Sequence, residues 1–522
     1  MQHLLKRLGL SAILGIILSG MWLLPVRADA PAPQSLPIPA IPGVAALPGP
    51  LATPATPLDH MGVLKVTPDK GVTGGPLTIS GSGLPANTDV TLTWSTATVT
   101  WVLDPQPMTV DYRGRAATPL AVVIKKVTTN GSGAFSLSLK VPDDWGGIHD
   151  IYAVIGGKEV AHGGFLMQRS FSISPTSGPI GTPITITYRG LGSSLYESGA
   201  SLLYDNKFAG QMASNWTRGT ARVVIRASGP VGKHILQVGN SLGGMYLNVP
   251  QSPLPWTKSF ATTFTVTRDN GPPKAYLDWP AKVAPTLSQR TTLEATGLVT
   301  TGNVQMTLRS TVGAVNTSIP VAASGLTSNA PVSFQWSTVV GNRVNCKGMC
   351  WDTATVPLGQ VTPTGGSIST SIKVPDGLGG WHVVQMIQDG KVAAQVPFFV
   401  KESIVGRGVS SLVVKQGSSF TVRLKGIGWT QVDNTRAVTY DNSYIGYGCG
   451  FNSQGYVIFH IRATGGLGTH LIDFYPLLYT LSPSYASVPY GMVPILTYKR
   501  DFPGLALGYQ IPAARMAITV VK

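Results

Sequence analysis

Four short stretches place a glycine, one further residue and a histidine ahead of an apolar run: Gly147–His149, Gly232–His234, Gly380–His382 and Gly468–His470. Half of the chain's eight histidines stand in this one setting. An imidazole can ligate a metal, move a proton, or brace backbone at a chain reversal with its two ring nitrogens. A metal centre needs several ligands converging within one unit. No partner His, Cys or acidic cluster recurs beside all four histidines. The recurrence therefore reads as one structural device copied four times, with His149, His234, His382 and His470 each tying a corner between a glycine turn and a strand.

The remaining chemistry-bearing residues are fewer. Gly239–Gly243 spells Gly-x-Ser-x-Gly, but a nucleophile of that kind stands on a strand running into a helix, and "GMYLNVPQSP" follows with no helical pattern. No phosphate loop, dinucleotide fingerprint, His-Glu-x-x-His or paired zinc-type cysteine motif occurs. The sequence thus assigns no catalytic residue, no metal and no cofactor. Tyr204–Asn206 and Tyr440–Asn442 repeat Tyr-Asp-Asn, whose oxygens suit calcium or sugar. Asp and Asn are equally the residues of a tight hairpin that needs positive φ, and the turn is the expectation. Arg226 and Arg462 match each other, and each is expected to bury its stem and expose its head. "CKGMC" spaces Cys346 and Cys350 for a small local disulfide in an oxidising compartment, with Cys449 left free or available to another chain.

Surfaces for recognition are sought where regularity lapses, because long loops on rigid scaffolds carry binding. Trp101 and Tyr112 lie in one such stretch, Arg343 and Trp351 in its counterpart, and Tyr444 and Tyr447 in "YIGYGCGF". Aromatic and arginine side chains are the usual anchors, with ordinary loop packing as the alternative.

Length and composition bound the elements that must position these residues. A chain of 522 residues exceeds one core and suggests about four domains at roughly 100 to 150 residues each. Charged residues make only 12%, while 61 Gly and 40 Pro punctuate a chain that is 43% hydrophobic. That balance suits short strands and turns rather than long helices or disorder. The formal charge of +16 makes an anionic polymer a candidate partner, with a basic solubilising surface as the alternative. No dense Lys/Arg run supports specific nucleic-acid binding.

Residues 1–28 read as a Sec-type export signal: Lys6 and Arg7, a greasy run, and small residues at Ala28 and Ala30. Cleavage is expected after Ala28, and the chain meets a membrane only if that segment stays uncleaved. Residues 29–61 form a Pro/Ala-rich extended spacer. Beyond it the chain repeats. Gly181–Val238 falls on Gly417–Phe474 without a gap at 15 of 58 positions, and the run from Gly133 falls on the run from Gly366. The organisation is A-B-A-B: A1 at 62–170, B1 at 171–270, A2 at 271–402 with an unassigned N-terminal extension, and B2 at 403–522. Ile184 and Ile186 alternate with Thr185 and Thr187, and Phe420, Val422 and Leu424 with polar neighbours, the period-two pattern of half-buried strands.

"SISPTSGPIGTPITITYRGLG", "LLYDNKFAG" and "VVIRASGPVGKHILQV" together resemble bacterial immunoglobulin-like domains of the IPT/TIG type. The A modules, with "NGSGAFSLSLKVPDDWGGIHDIYAV", are similar to a related exported module. The resemblance implies an all-β chain of four tandem immunoglobulin-like β-sandwiches, and it specifies fold better than function. The expected role is an exported, non-catalytic structural, adhesive or binding protein at the cell surface or periplasm, whose partner is a protein or polysaccharide of the envelope. A subunit of a larger envelope or filament assembly, and a carbohydrate-binding accessory chain or secreted hydrolase, are the alternatives.

Overall fold

Alternation dictates strands, and the chain folds almost wholly into them. A computed structural model describes residues 41–522 apart from 42, 107–108, 195–196, 241–242, 252–258, 282–292, 295–303, 343–349, 406–411, 451–453 and 479–491. Eight sheets form four two-layered sandwiches. In A1, Lys65–Thr67, Pro76–Gly81 and Phe135–Lys140 face a sheet ordered Thr56–Val63, Lys158–Met167, Gly147–Ile155, Asp89–Gln106 and Thr109–Thr128. In B1, Ser170–Ser174, Pro183–Arg189 and Ala221–Arg226 face Ser177–Gly178, Phe260–Val266, Gly232–Asn240, Gly199–Tyr204 and Lys207–Ala213. A2 repeats the first plan, with Gly380–Gln388, Val332–Asn342 and Cys350–Val361 closing its larger sheet. B2 repeats the second, ending in Gly468–Pro476, Thr435–Tyr440 and Ser443–Cys449. Apolar residues of period two fill each interior, as Leu77, Ile79, Trp94 and Phe165 do in A1.

Two stretches sit differently from the sequence reading. The spacer from Ile41 onward is part of the fold. Ile41 is buried, Ala52 N–H donates to Ala121 O (2.9 Å), Val123 N–H donates to Pro50 O (2.8 Å), and Thr56–Val63 pairs in parallel with Lys158–Met167. Proline spacing hid this, because Ile41 and Leu47 supply apolar contacts that need no regular element and Leu51 attaches through a single bridge to Val122. Tyr276–Asp278, placed in A2 by the sequence reading, instead pairs with Ala513–Val521 in the sheet of B2.

The A–B contact is built the same way twice. Gly146 N–H donates to Leu191 O (2.8 Å), and Gly379 N–H to Ile427 O (2.9 Å). A Cβ on Gly146 would stand 1.8 Å from Gly190 O, and one on Gly379 1.8 Å from Gly426 O. Neither backbone oxygen can retreat without parting the modules. Gly379→Ala is expected to cost about 1–3 kcal/mol through overpacking. The checks are the denaturant midpoint and faster limited proteolysis at the A2–B2 connection.

The four sandwiches also share one hydrophobic hub. Trp101, Val110 and Tyr112 of A1, Trp381 and Phe399 of A2, Val432 and Tyr475 of B2 and the interior of B1 form a single buried cluster with Tyr498, Phe502, Leu505 and Tyr509. The last four residues belong to the excursion between Gly468–Pro476 and Ala513–Val521, which includes a short 3-10 turn at Pro503–Leu507. It adds backbone pairing to B1: Gln211 N–H donates to Pro494 O and Leu496 N–H to Gln211 O, both 2.8 Å.

Candidate functional site

Each repeated histidine opens a strand and packs on an aromatic ring of the neighbouring strand, stacked in three modules and tilted by 34° at His470 in B2. In the A modules that ring is tryptophan: His149 stacks on Trp94 at 4.3 Å, and His382 on Trp336 at 4.9 Å. The nitrogens of His149 face the carbonyls of Ser95 and Trp145, each at 2.7 Å, and Nε2 of His382 donates to Leu378 O at 3.0 Å. In the B modules the ring is tyrosine, and a carboxylate joins. His234 Nδ1 meets Asp205 Oδ2 at 2.6 Å, and His470 Nδ1 meets Asp441 Oδ2 at 2.5 Å. Their Nε2 atoms donate to Pro230 O (2.7 Å) and Gly466 O (2.8 Å).

The aspartates belong to the Tyr-Asp-Asn stretches, so those turns and the histidine corners are one construction. Asp205 and Asn206 take φ of 50° and 62°, and Asp441 and Asn442 take 48° and 59°, the two-residue hairpin expected of them. The second oxygen of each carboxylate accepts the next strand's amide, Ile235 N–H at 2.8 Å and Leu471 N–H at 2.9 Å. The preceding tyrosines close the corner from the other side: Tyr204 donates to Ser228 O and Tyr440 to Thr464 O.

Docking of B1 on B2 turns the two corners toward one cleft. About 410 Å³ in volume, it is lined by Asp205, Asp441, Asp269, Lys207 and His470, with Ile180, Val231 and Leu467 among its apolar walls. Asp269 is also engaged, accepting Thr469 N–H (2.9 Å) and Gly271 N–H (2.8 Å). Among the described residues no set of three or more His, Cys, Asp or Glu side chains is arranged to hold a metal ion.

Behind this cleft lies a buried ion network. Arg226 is only 2% exposed and pairs with Asp473 of B2, while also donating to Met516 O at 2.7 Å. Arg515 reaches Asp473 from the other side at 3.1 Å and donates to Val224 O at 3.0 Å. The expected exposed head of Arg226 is thus buried between copies, because Asp473 draws it inward. Its match Arg462 keeps an exposed head and donates to Gly417 O at 2.7 Å.

The recognition candidates separate. Trp101 and Tyr112 are not on a surface loop: they end an unusually long hairpin, 4% and 0% exposed, inside the hub. Trp101 Nε1 donates to Asp501 Oδ1 (2.7 Å), and Tyr112 N–H to Gln431 Oε1 (2.7 Å). Tyr444 is half-buried against Phe208 and donates to Met492 O, whereas Tyr447 stays open at 46%. Arg343 and Cys346 lie outside the described residues, as do the side chains of Cys350 and Trp351. Ser241 of the Gly-x-Ser-x-Gly stretch and the export signal also fall outside them. Thr435 Oγ1 sits 3.3 Å from Cys449 Sγ. Sequence reasoning missed Asp473, Arg515, Asp501 and the cleft, for each depends on a partner more than 40 residues away or on another module.

Buried titratable groups set a pH dependence. Burial pushes the Asp433 and Asp501 carboxyls up to about 7. Burial also opposes charge on His470, but the Asp441 carboxylate outweighs it and raises that imidazole. In all three cases the folded chain holds protons more tightly than the unfolded one, so the stabilisation is present at low pH and lost as pH rises through the folded values. His382 is opposite: burial lowers it to about 4, so its contribution is lost as pH falls from 6.5 toward 4. The unfolding midpoint is therefore expected to fall as pH rises from about 4 to about 7, with His382 offsetting part of the loss below 6.5, after which only His470 adds to the fall. NMR of the imidazoles is expected to show His382 neutral at pH 5.5 with His470 protonated.

No protein-family profile matches the chain, and no curated protein matches it. Among solved structures, Salmonella alpha-2-macroglobulin reacted with methylamine aligns at 9% identity over 88% of this chain and 31% of its own, with a TM-score of 0.16. Trypsin-activated alpha-2-macroglobulin from Escherichia coli aligns at 10% identity over 88% and 41%, with a TM-score of 0.15. The Bacteroides ovatus protein SGBP-B of a mixed-linkage glucan utilization locus, in complex with a mixed-linkage heptasaccharide, aligns at 11% identity over 67% and 70%, again at 0.15. The chain spans 31% and 41% of the length of the two macroglobulins. Likenesses at these scores carry no argument about function.

Proposed function

We propose that the chain is an exported, non-catalytic binding scaffold of the cell envelope, in which four immunoglobulin-like sandwiches act as one body. The shared hub is the observation that supports this reading. A string of independent modules would leave Trp101, Tyr112, Trp381 and Tyr509 in water, yet all four sit in one buried cluster. A body of that kind holds its outer faces in a fixed relation, which favours recognition of an extended surface such as an envelope protein or polysaccharide. The three carboxylates of the cleft between B1 and B2 are engaged in bracing backbone, which suits a frame more than a reacting centre.

The test uses the mature chain as bait on solubilised native envelope, with chemical cross-linking and competition by excess untagged chain. Saturable, competable capture of one defined component is the expected result. Turnover of glycoside, ester or peptide substrates by the purified chain would sink the reading. So would small-angle scattering in which the four sandwiches move independently.

A further inference from the structure

Each module ends its larger sheet in an edge strand, and the repeat allows four equivalent edges to be compared. An uncovered edge offers unpaired backbone to any passing strand, so folded proteins cover it or disable it. The A1 edge, Thr109–Thr128, is covered by Pro50 and Ala52 of the same chain. In A2, Trp336 stands opposite Val356 as Trp94 stands opposite Val122, so Pro357 occupies the place of Val123. Its ring removes the very N–H that Val123 donates to Pro50.

The B edges part company. In B1, Gln211 pairs in parallel with Ile495, accepting from Leu496 N–H and donating to Pro494 O. In B2, Tyr447 holds the position of Gln211, opposite Ala437 as Gln211 is opposite Ser201. Gly446 before it keeps the unusual φ of its match, 148° against 156° for Gly210. The outward backbone of Tyr447 has no partner among the described residues. Ser443–Cys449 contains neither proline nor charge, and it exposes Ile445 (51%) and Tyr447 (46%). Tyr444 packs on Phe208 of B1, but around Tyr447 this edge, alone of the four, has neither an outer backbone partner among the described residues nor a residue that disables pairing.

We propose that Ser443–Cys449 is a docking edge for an extended, uncharged apolar strand of a partner protein. The strand adds in parallel, a proline carbonyl accepting from Tyr447 N–H and an aliphatic residue two positions later donating to Tyr447 C=O. Pro494 and Leu496 already make this pairing on the duplicate edge, so the geometry exists within the fold. Ile445 and Tyr447 supply the apolar and aromatic contact that fixes the incoming side chains. The inference names a surface and an occupant that the scaffold reading does not, and its failure would leave that reading standing.

The test is amide hydrogen exchange on the full chain, alone and with an excess of the synthetic peptide Met-Val-Pro-Ile-Leu-Thr-Tyr, the sequence of residues 492–498. The outward amide of Tyr447 is expected to exchange fast in the free chain and to slow by about tenfold or more with peptide, while the amides that face Thr435–Tyr440 are slow in both states. Tyr447→Pro, which removes that donor, is expected to abolish saturable binding of the fluorescently labelled peptide. Ile445→Lys, which leaves the backbone donor in place, is expected to weaken it at an unchanged unfolding midpoint. Slow exchange in the free dilute chain would overturn the proposal by showing the edge covered from within. Protection that appears with rising chain concentration and no peptide would overturn it in favour of a second copy. Fast exchange unaffected by peptide would overturn it outright.

Discussion

Replacing Arg226 with methionine is expected to cost about 3–5 kcal/mol, the usual penalty for breaking one side of a buried ion pair. The stem volume is kept, so the loss is electrostatic. Asp473 remains buried with Arg515 as its guanidinium partner, while the carbonyls of Met516 and Ile472 lose their donor. Equilibrium denaturation should show a lower midpoint for the B1–B2 contact, with A1 and A2 less affected. The control is Arg462→Met at the matching position. That side chain is exposed and makes one backbone bond, so its change should fall within about 0.5 kcal/mol. Equal effects at the two positions would refute the assignment of Arg226 to the interface between copies.

Trp101→Ala is expected to be as damaging, about 3–5 kcal/mol for a buried indole in a well-packed site. The hairpin tip of A1 would lose its contact with Tyr112 at 5.6 Å, and Asp501 would lose the indole donor at Oδ1. Trp216 N–H, 3.1 Å from Oδ2, remains. The carboxyl would then be still less able to carry charge, so the loss should grow from pH 6 to pH 8. Trp101→Phe restores volume without the N–H and should recover much of the loss at pH 6 and less of it at pH 8. Thermal unfolding of the three proteins at both pH values decides this. A surface role for Trp101, as the sequence suggests, predicts no change in any of them.

The local part of the fold was legible because local forces set it. Asp205–Asn206 and Asp441–Asn442 read as tight turns and form them, since only small polar side chains accept that positive φ cheaply. Ile184 and Ile186 read as one buried face and are buried. What could not be read is whatever depends on the docking of modules. Arg226 and Arg462 share a register and similar neighbours, and only the proximity of Asp473 separates them. Trp101 looks like a loop aromatic because its partner Asp501 stands 400 residues later. Ile41 and Leu51 were masked by prolines that forbid a ladder of their own without forbidding attachment to another. A weak signal was present all the same: the stretch after Pro476 has no counterpart of similar length in B1, and an insertion rich in Leu and Tyr is seldom left in water.

The matched glycine contacts at Gly146 and Gly379 bear on how the molecule came to be. Two interfaces that tolerate no side chain, at equivalent places and with the same amide-to-carbonyl link, are what copying a ready-made pair leaves behind. The ancestral gene then encoded a dumbbell already locked at its waist, and doubling joined two such dumbbells. Their mutual grip draws on both copies, through the long hairpin of A1 and Arg226 of B1 on one side and Asp473 and the excursion after Pro476 on the other.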